Sequence, residues 1–149
     1  MKKEFLDKAF EYAMTAKDLG EVPIGCVIVK NNEIIGYGYN QKESNYSVLE
    51  HAELIAIKQA EEKMKNWRLN DCDIYITLDP CPMCASAIKQ ARIKNVYSAL
   101  NNSDDNNSLI IKKIFEADKT NPQVDFETNI SPEKSKELLN TFFEKQRNI

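Results

Sequence analysis

The sequence lacks any long apolar run. A transmembrane helix needs about 20 consecutive apolar residues, and the 149 residues contain no such stretch. Charged residues interrupt the segment from Met1 to Asp7, so the apolar core of a signal peptide cannot form there. We therefore expect a soluble cytoplasmic protein with no membrane segment.

A net positive charge is also absent, and there are only four cysteines. The net charge of -3 gives none of the overall basic character of a typical nucleic-acid-binding domain, so any contact with nucleic acid has to be local. Four cysteines without a secretion signal argue against a disulfide framework. Metal binding, catalysis or simple burial remain as the uses of these thiols.

Hydrophobic periodicity predicts one α/β domain over residues 1–149. The hydrophobic content of 42% is enough for a buried core. Helical and β-branched patterns follow one another in the order α-β-β-α-β-α-β-α-β-α, which indicates helices that cover a mixed sheet. The predicted helices are Lys3–Lys17, Val48–Met64, Cys81–Arg92 after an Asp79-Pro80 cap, Leu109–Phe115, and one after Ser131. The predicted strands are Ile24–Val29, Ile34–Tyr39, Ile74–Thr77, Val96–Leu100 and Val124–Thr128, and Asn101–Ser108 is predicted as a loop.

His51 is the only histidine in the chain. It lies two residues before Glu53, at the start of a helix that the pattern predicts to be buried, where polar side chains are unusual unless they have a function. A lone histidine is nevertheless more often a surface residue or a hydrogen-bonded core residue than a metal ligand. The pair alone leaves both interpretations open.

Cys81 and Cys84 are three residues apart at the start of a predicted helix, so both thiols face the same side of its first turn. The spacing suits one tetrahedral metal ion, and the positive end of the helix dipole favours thiolates. There are two alternative functions for this pair of cysteines: a redox pair, or half of a structural zinc site. The first lacks a thioredoxin-like βαβ context, and the second needs a fourth ligand from Cys26, Cys72 or a carboxylate.

Three protein ligands and an open position are the simplest arrangement. We expect Cys26 and Cys72 to be buried free thiols, because they lie in or before apolar strands with no ligand-type neighbour. The remaining set is His51, Cys81 and Cys84, and an open position is typical of catalytic zinc. Glu53 is then placed to handle the proton of a water molecule.

The motifs His51-Ala52-Glu53 and Pro80-Cys81-x-x-Cys84 resemble the signature of the cytidine deaminase superfamily. Within it, the chain is most similar to the bacterial tRNA adenosine deaminases. The resemblance implies a three-layer α/β/α fold with a mixed five-stranded sheet, one zinc ion per chain and a homodimer. The flanking segments that share it are Gly20–Gly25, Trp67–Leu69, Tyr75–Leu78, Arg92-Ile93 and Phe142-Phe143.

The resemblance also implies a reaction and a substrate. Adenosine at the wobble position of a tRNA anticodon would be converted to inosine, with Glu53 as the proton carrier. Asn40 and the backbone N–H of Ala52 would bind the base, while a turn residue is the alternative for Asn40. Phe143 and Arg147 would meet the anticodon loop, although Phe143 could instead belong to the core.

Some segments depart from the family pattern. Leu49-Glu50 replaces the usual Thr-Ala and brings an extra carboxylate close to the motif, unless Glu50 points into solvent. The polar run Asn101–Ser108 replaces a loop that touches RNA in the family, which leaves the substrate open. Basic residues that could contact phosphates, or that could form a solvated helix end, are Lys89, Arg92, Lys94, Lys112 and Lys113.

Two other functions fit the same motifs. One is a deaminase of a free base or nucleoside, such as guanine, cytosine or cytidine, whose zinc motif would look the same. The other is a zinc-stabilised RNA-binding or interaction module without turnover. Glu53 argues against this last function, because a structural zinc site has no need of that acid.

Overall fold

The computed structural model describes residues 1–102, 105–117 and 123–147. The order of helices and strands in these ranges is the predicted one. The helices are α1 (Lys3–Asp18), α2 (Ala52–Met64), α3 (Pro82–Gln90), α4 (Asp105–Glu116) and α5 (Pro132–Arg147). The strands are β1 (Gly25–Lys30), β2 (Glu33–Tyr39), β3 (Cys72–Ile76), β4 (Asn95–Ser98) and β5 (Asp125–Glu127).

The five strands form one mixed sheet in the order β2-β1-β3-β4-β5. Strand β1 is antiparallel to both β2 and β3, whereas β3, β4 and β5 run parallel. Parallel strands need crossover connections, which α3 and α4 provide. The predicted mixed five-stranded sheet is confirmed.

Both faces of the sheet are covered by helices. Side chains alternate along β1, so Cys26 and Ile28 pack in one apolar cluster and Val27 and Val29 in the other. The first cluster contains residues of α2, α3 and α4, and the second contains residues of α1 and α5. This arrangement is the predicted three-layer α/β/α fold.

Two glycines in β2 let α2 lie directly on the sheet. A Cβ atom at Gly38 would be 2.1 Å from the carbonyl oxygen of Ala52, and one at Gly36 would be 2.5 Å from that of Ala56. Both distances are impossible contacts, so only glycine allows this approach. The close packing places the first turn of α2 at one end of the sheet.

Several predicted boundaries differ from the structure, and three of them matter for the site. Helix α2 begins at Ala52 rather than Val48, because residues 48–50 belong to the loop that leads to His51 at the N-cap. Helix α3 is capped by Cys81 and not by Asp79, since Pro82 rather than Pro80 occupies the first helical position. The predicted loop Asn101–Ser108 is too long, because α4 begins at Asp105; residues 103–104 lie outside the described ranges.

Within the described ranges, none of the helices has the length and apolar character that a bilayer crossing requires.

Candidate metal and catalytic site

His51, Cys81 and Cys84 come together where the N-termini of α2 and α3 meet. His51 Nδ1 lies 3.4 Å from Cys84 Sγ and 3.7 Å from Cys81 Sγ. All three potential donor atoms are within 4.8 Å of one another. His51 and Cys81 are 30 positions apart in sequence. They meet here because the loop that follows β3 lies beside the first turn of α2.

The chemistry of these donors fits a zinc ion. One imidazole nitrogen and two thiol sulfurs are a common zinc donor set, and three donors leave one tetrahedral position for a reactant. The pKa of Cys81 is lowered to about 5, chiefly because the Cys84 thiol donates a hydrogen bond to it. Backbone N–H groups at the start of α3 act in the same direction, so this loop favours a thiolate ligand. Among the described residues, no second group of three such side chains converges.

Glu53 is buried beside the three donors, with 4% of its surface exposed. Burial is the main reason that its pKa rises from 4.5 to about 7, and the charge of Cys81 raises it further. A backbone hydrogen bond and the nearby charge of His51 act in the opposite direction. A carboxyl group with a pKa near neutrality can both accept and return a proton, which is what a general acid–base catalyst needs.

Asn40 and the backbone of Ala52 are already in contact with each other. The Ala52 N–H donates a 3.0 Å hydrogen bond to Asn40 Oδ1. The first N–H groups of a helix have no partner within the helix, and the His51 side chain forms no cap hydrogen bond. The bond to Asn40 therefore satisfies one of these N–H groups. A base that uses the Ala52 N–H would therefore have to displace the Asn40 oxygen. Base binding by either residue remains a prediction.

The loop between Asn40 and His51 is held by a residue that the sequence reasoning missed. Glu21 is buried, and its carboxylate accepts hydrogen bonds from the N–H groups of Glu43 at 3.1 Å and Ser44 at 2.6 Å. An acid followed by Val22-Pro23 and an apolar strand was the available signal for a buried carboxylate.

Glu50 lies at the other end of this loop. It lines a groove of about 630 Å³ on the outer face of α2, together with Leu49 and Lys58. Glu50 is only half-buried there, one residue before His51.

Asp79 has another role than the predicted helix cap. Its carboxylate accepts hydrogen bonds from the N–H of Asn102 at 3.3 Å and from the hydroxyl of Thr128 at 2.6 Å. These bonds join the cysteine loop to the segments that follow β4 and β5. The carboxylate faces the ends of the parallel strands because Cys81 takes the cap position.

The predicted basic cluster is only partly exposed. Lys89 is 5% exposed, and its Nζ donates a 2.8 Å hydrogen bond to the carbonyl of Phe115 in α4. The prediction that Lys89 can contact phosphates was therefore wrong, since α4 covers it. Lys94 is exposed, and the Arg92 guanidinium lies 5.3 Å from the centre of the Trp67 ring. Lys112 and Lys113 are exposed on α4.

Phe143 and Arg147 are accessible on α5. Phe143 is 47% exposed, whereas its neighbour Phe142 is buried and contacts it edge to face. Phe143 is therefore not a core residue. Arg147 is exposed in the last turn of the helix. Contact of either side chain with an anticodon loop remains a prediction.

A known protein family matches nearly the whole chain, over residues 1–147. The chain belongs to the MafB19-like deaminase family. This deaminase is 35% identical over 143 residues to a tRNA-specific adenosine deaminase of Streptococcus pyogenes serotype M18 (strain MGAS8232). The matched region covers 96% of this chain and 90% of the relative. The predicted resemblance to the tRNA adenosine deaminases is thus confirmed.

The solved structures that are similar to this deaminase include the following two. One comes from studies of A-to-I editing by tRNA:A34 deaminases at the wobble position; it is 31% identical, with a TM-score of 0.83 over 93% of this chain and 100% of the other. The second is a guanine deaminase of Bacillus subtilis. It is also 31% identical, with a TM-score of 0.68 over 100% of this chain and 96% of the other.

Proposed function

We propose that this deaminase hydrolyses adenosine to inosine at the wobble position of a tRNA anticodon. The observation that carries the proposal is the buried Glu53 carboxyl group beside the converging His51, Cys81 and Cys84 side chains. The full-length relatives and the A34 deaminase structure support adenosine in tRNA as the substrate.

The three side chains would hold one zinc ion per chain. When bound, zinc supplies a Lewis acid that makes a water molecule nucleophilic near neutral pH. His51 would contribute the imidazole ligand from the N-cap of α2, and Cys81 and Cys84 would contribute thiolates from the N-cap and the first turn of α3. The short span between the donor atoms supports this ligand set.

Glu53 would carry protons through the reaction. It takes a proton from the attacking water and delivers it to the ring nitrogen, while the water oxygen forms a bond to the amine-bearing carbon. Glu53 then takes the remaining proton from the hydroxyl group on that carbon and delivers it to the amine. The carbon–nitrogen bond breaks as the hydroxyl oxygen becomes the carbonyl oxygen of inosine, and ammonia leaves. A pKa of about 7 supports a group that works in both directions.

Substrate contacts would come from two regions. Ala52 directly precedes Glu53, and Asn40 is hydrogen-bonded to Ala52; both would hold the base, with Asn40 Nδ2 as a hydrogen-bond donor. Phe143 and Arg147 would contact the anticodon loop, where an exposed aromatic ring can stack on an unpaired base.

We also propose a homodimer. Its support is the family resemblance together with three exposed apolar side chains in the loop before His51, which are Tyr46, Val48 and Leu49. A tRNA substrate further implies a cytoplasmic protein. The family match over residues 1–147 supports one deaminase domain.

A second candidate is a guanine deaminase, which the Bacillus subtilis structure favours. Ammonia release from tRNA, adenosine, cytidine and guanine by the zinc-loaded protein distinguishes the two functions. We expect tRNA to be the substrate that is turned over well and to gain inosine at the wobble position. Turnover of guanine alone would favour the second candidate. No ammonia from any of the four substrates would refute the proposed function.

A further inference from the structure

The Cys26 thiol lies directly beneath the first turn of α2. Cys26 is fully buried in β1, and its sulfur is 3.2 Å from the carbonyl oxygen of Ala52. A carbonyl oxygen can only accept a hydrogen bond, so the thiol is the donor. Burial, together with the nearby Glu53, raises the pKa of Cys26 well above its usual value, which keeps the thiol protonated.

This first turn depends on contacts from outside the helix. His51 occupies the N-cap, but its ring faces the cysteine thiols and forms no cap hydrogen bond. The N–H of Ala52 is bound by Asn40 Oδ1 and its carbonyl by the Cys26 thiol. Two side chains, one in β1 and one directly after β2, thus fix the residue between His51 and Glu53.

The space around this carbonyl is too small for it to shift toward the sheet. The Ala52 oxygen would be 2.1 Å from a Cβ atom at Gly38, so the helix already rests on the bare backbone of β2. Without the thiol, the buried Ala52 carbonyl would lose one of its hydrogen bonds, and the first turn of α2 would be held less firmly. Glu53 follows Ala52 directly and would move with it.

We propose that Cys26 is a positioning residue for Glu53, which it fixes through a hydrogen bond to the Ala52 carbonyl. The inference rests on the proposed function, since it assigns Glu53 the proton transfer. Cys26 contributes no zinc ligand and does not contact the substrate in this role.

Cys72 provides a matched control. It is also fully buried in the same apolar cluster, but its sulfur lies 3.6 Å from the carbonyl oxygen of Asn70, in the loop just before β3. In the pairing of β1 with β3, Cys26 is opposite Ile76 whereas Cys72 is opposite Lys30, so Cys72 lies at the other end of the strand. Cys26→Ala and Cys72→Ala therefore remove the same atom from the same core, with only one of them near Glu53.

The test compares both variants and Cys26→Ser with the zinc-loaded wild-type protein. We expect Cys26→Ala to keep its zinc and its KM and to lose roughly fivefold in kcat, the effect of about one hydrogen bond. Amide hydrogen exchange in the first turn of α2 should become faster in the same variant. Cys72→Ala should lower the thermal midpoint by a similar amount and leave kcat and this exchange unchanged. Cys26→Ser keeps a donor and should recover most of kcat.

Several results would overturn the inference. Equal kcat values for Cys26→Ala and Cys72→Ala would mean that both thiols serve only the core. Unchanged amide exchange in α2 would mean that the thiol does not hold the turn, whatever the activity. A wild-type protein that is inactive on every substrate would first refute the proposed function and would remove the positioning role with it.

Discussion

Replacement of Glu53 by glutamine should separate catalysis from zinc binding and from folding. The amide keeps the shape and reach of the side chain but cannot accept and return a proton near neutral pH. Zinc should stay bound, because the proposed ligands are His51, Cys81 and Cys84. Proton transfer should be lost, and with it on the order of 10² to 10⁴ in rate. We expect the upper part of that range, since Glu53 acts in more than one step.

The same variant should change the stability of the metal-free protein in a direction that depends on pH. Burial raises the pKa of Glu53 from 4.5 to about 7 in the folded chain. Below pH 4.5 both the folded and the unfolded states keep the proton, and no difference arises. As the pH rises through 4.5 toward 7, the unfolded state loses its proton first, so wild-type stability falls.

Above pH 7 the decrease in the wild-type free energy of unfolding is complete. A pKa raised from 4.5 to about 7 corresponds to about 3 kcal/mol. Glutamine has no proton to lose, so Glu53→Gln should gain up to about 3 kcal/mol relative to the wild-type protein between pH 4.5 and pH 8. Bound zinc should reduce the gain, because its positive charge favours the carboxylate.

Zinc content, single-turnover rate and urea unfolding with and without a chelator measure the three effects on one preparation. Glu50→Gln is the control, because it removes the same charge from a half-buried residue in the neighbouring groove. It should keep its activity. A Glu53→Gln variant that keeps zinc and more than about a tenth of the wild-type rate would show that Glu53 is not the proton carrier. In that case Glu53 would only stabilise the start of α2.

Four further predictions concern the metal, the RNA, the buried Lys89 and the assembly. Cys81→Ser should lose zinc in metal analysis while Cys26→Ser keeps it, and equal losses would contradict the ligand set. Replacement of Arg92 and Lys94 by alanine should flatten the salt dependence of tRNA affinity, since fewer counterions are released, and an unchanged slope would remove both residues from the interface. Lys89→Ala should instead lower the thermal midpoint, because its ammonium group binds a buried carbonyl. Light scattering should give about twice the 17.1 kDa chain mass, and a strict monomer would contradict the dimer.

The element order and the cluster of potential ligands could be predicted from the sequence. Helical and strand periodicities are local, so the alternation of helices and strands was readable without any tertiary information. The three-residue spacing of Cys81 and Cys84 places both thiols on one face of a helix start wherever that helix lies. The fold and the likeness to deaminases followed from these local patterns and from the motif around His51.

Helix starts were predicted less well, because several residues in a row can each serve as a cap. Asp79-Pro80 and Cys81-Pro82 offer the same pattern of a polar residue before proline, and the choice between them depends on what each side chain meets. Asp79 meets Asn102 and Thr128, which come from distant parts of the chain.

Only the tertiary structure decided which polar and apolar side chains are covered. Lys89 is buried because α4 packs over it, and Phe143 is exposed because its neighbour Phe142 fills the position against the core. The bonds of Asn40 and Cys26 to the Ala52 backbone join three elements that are separate in sequence. Burial and such bonds depend on which helix or strand lies opposite a side chain. Packing brings these elements together from distant parts of the sequence, so no local pattern can predict them.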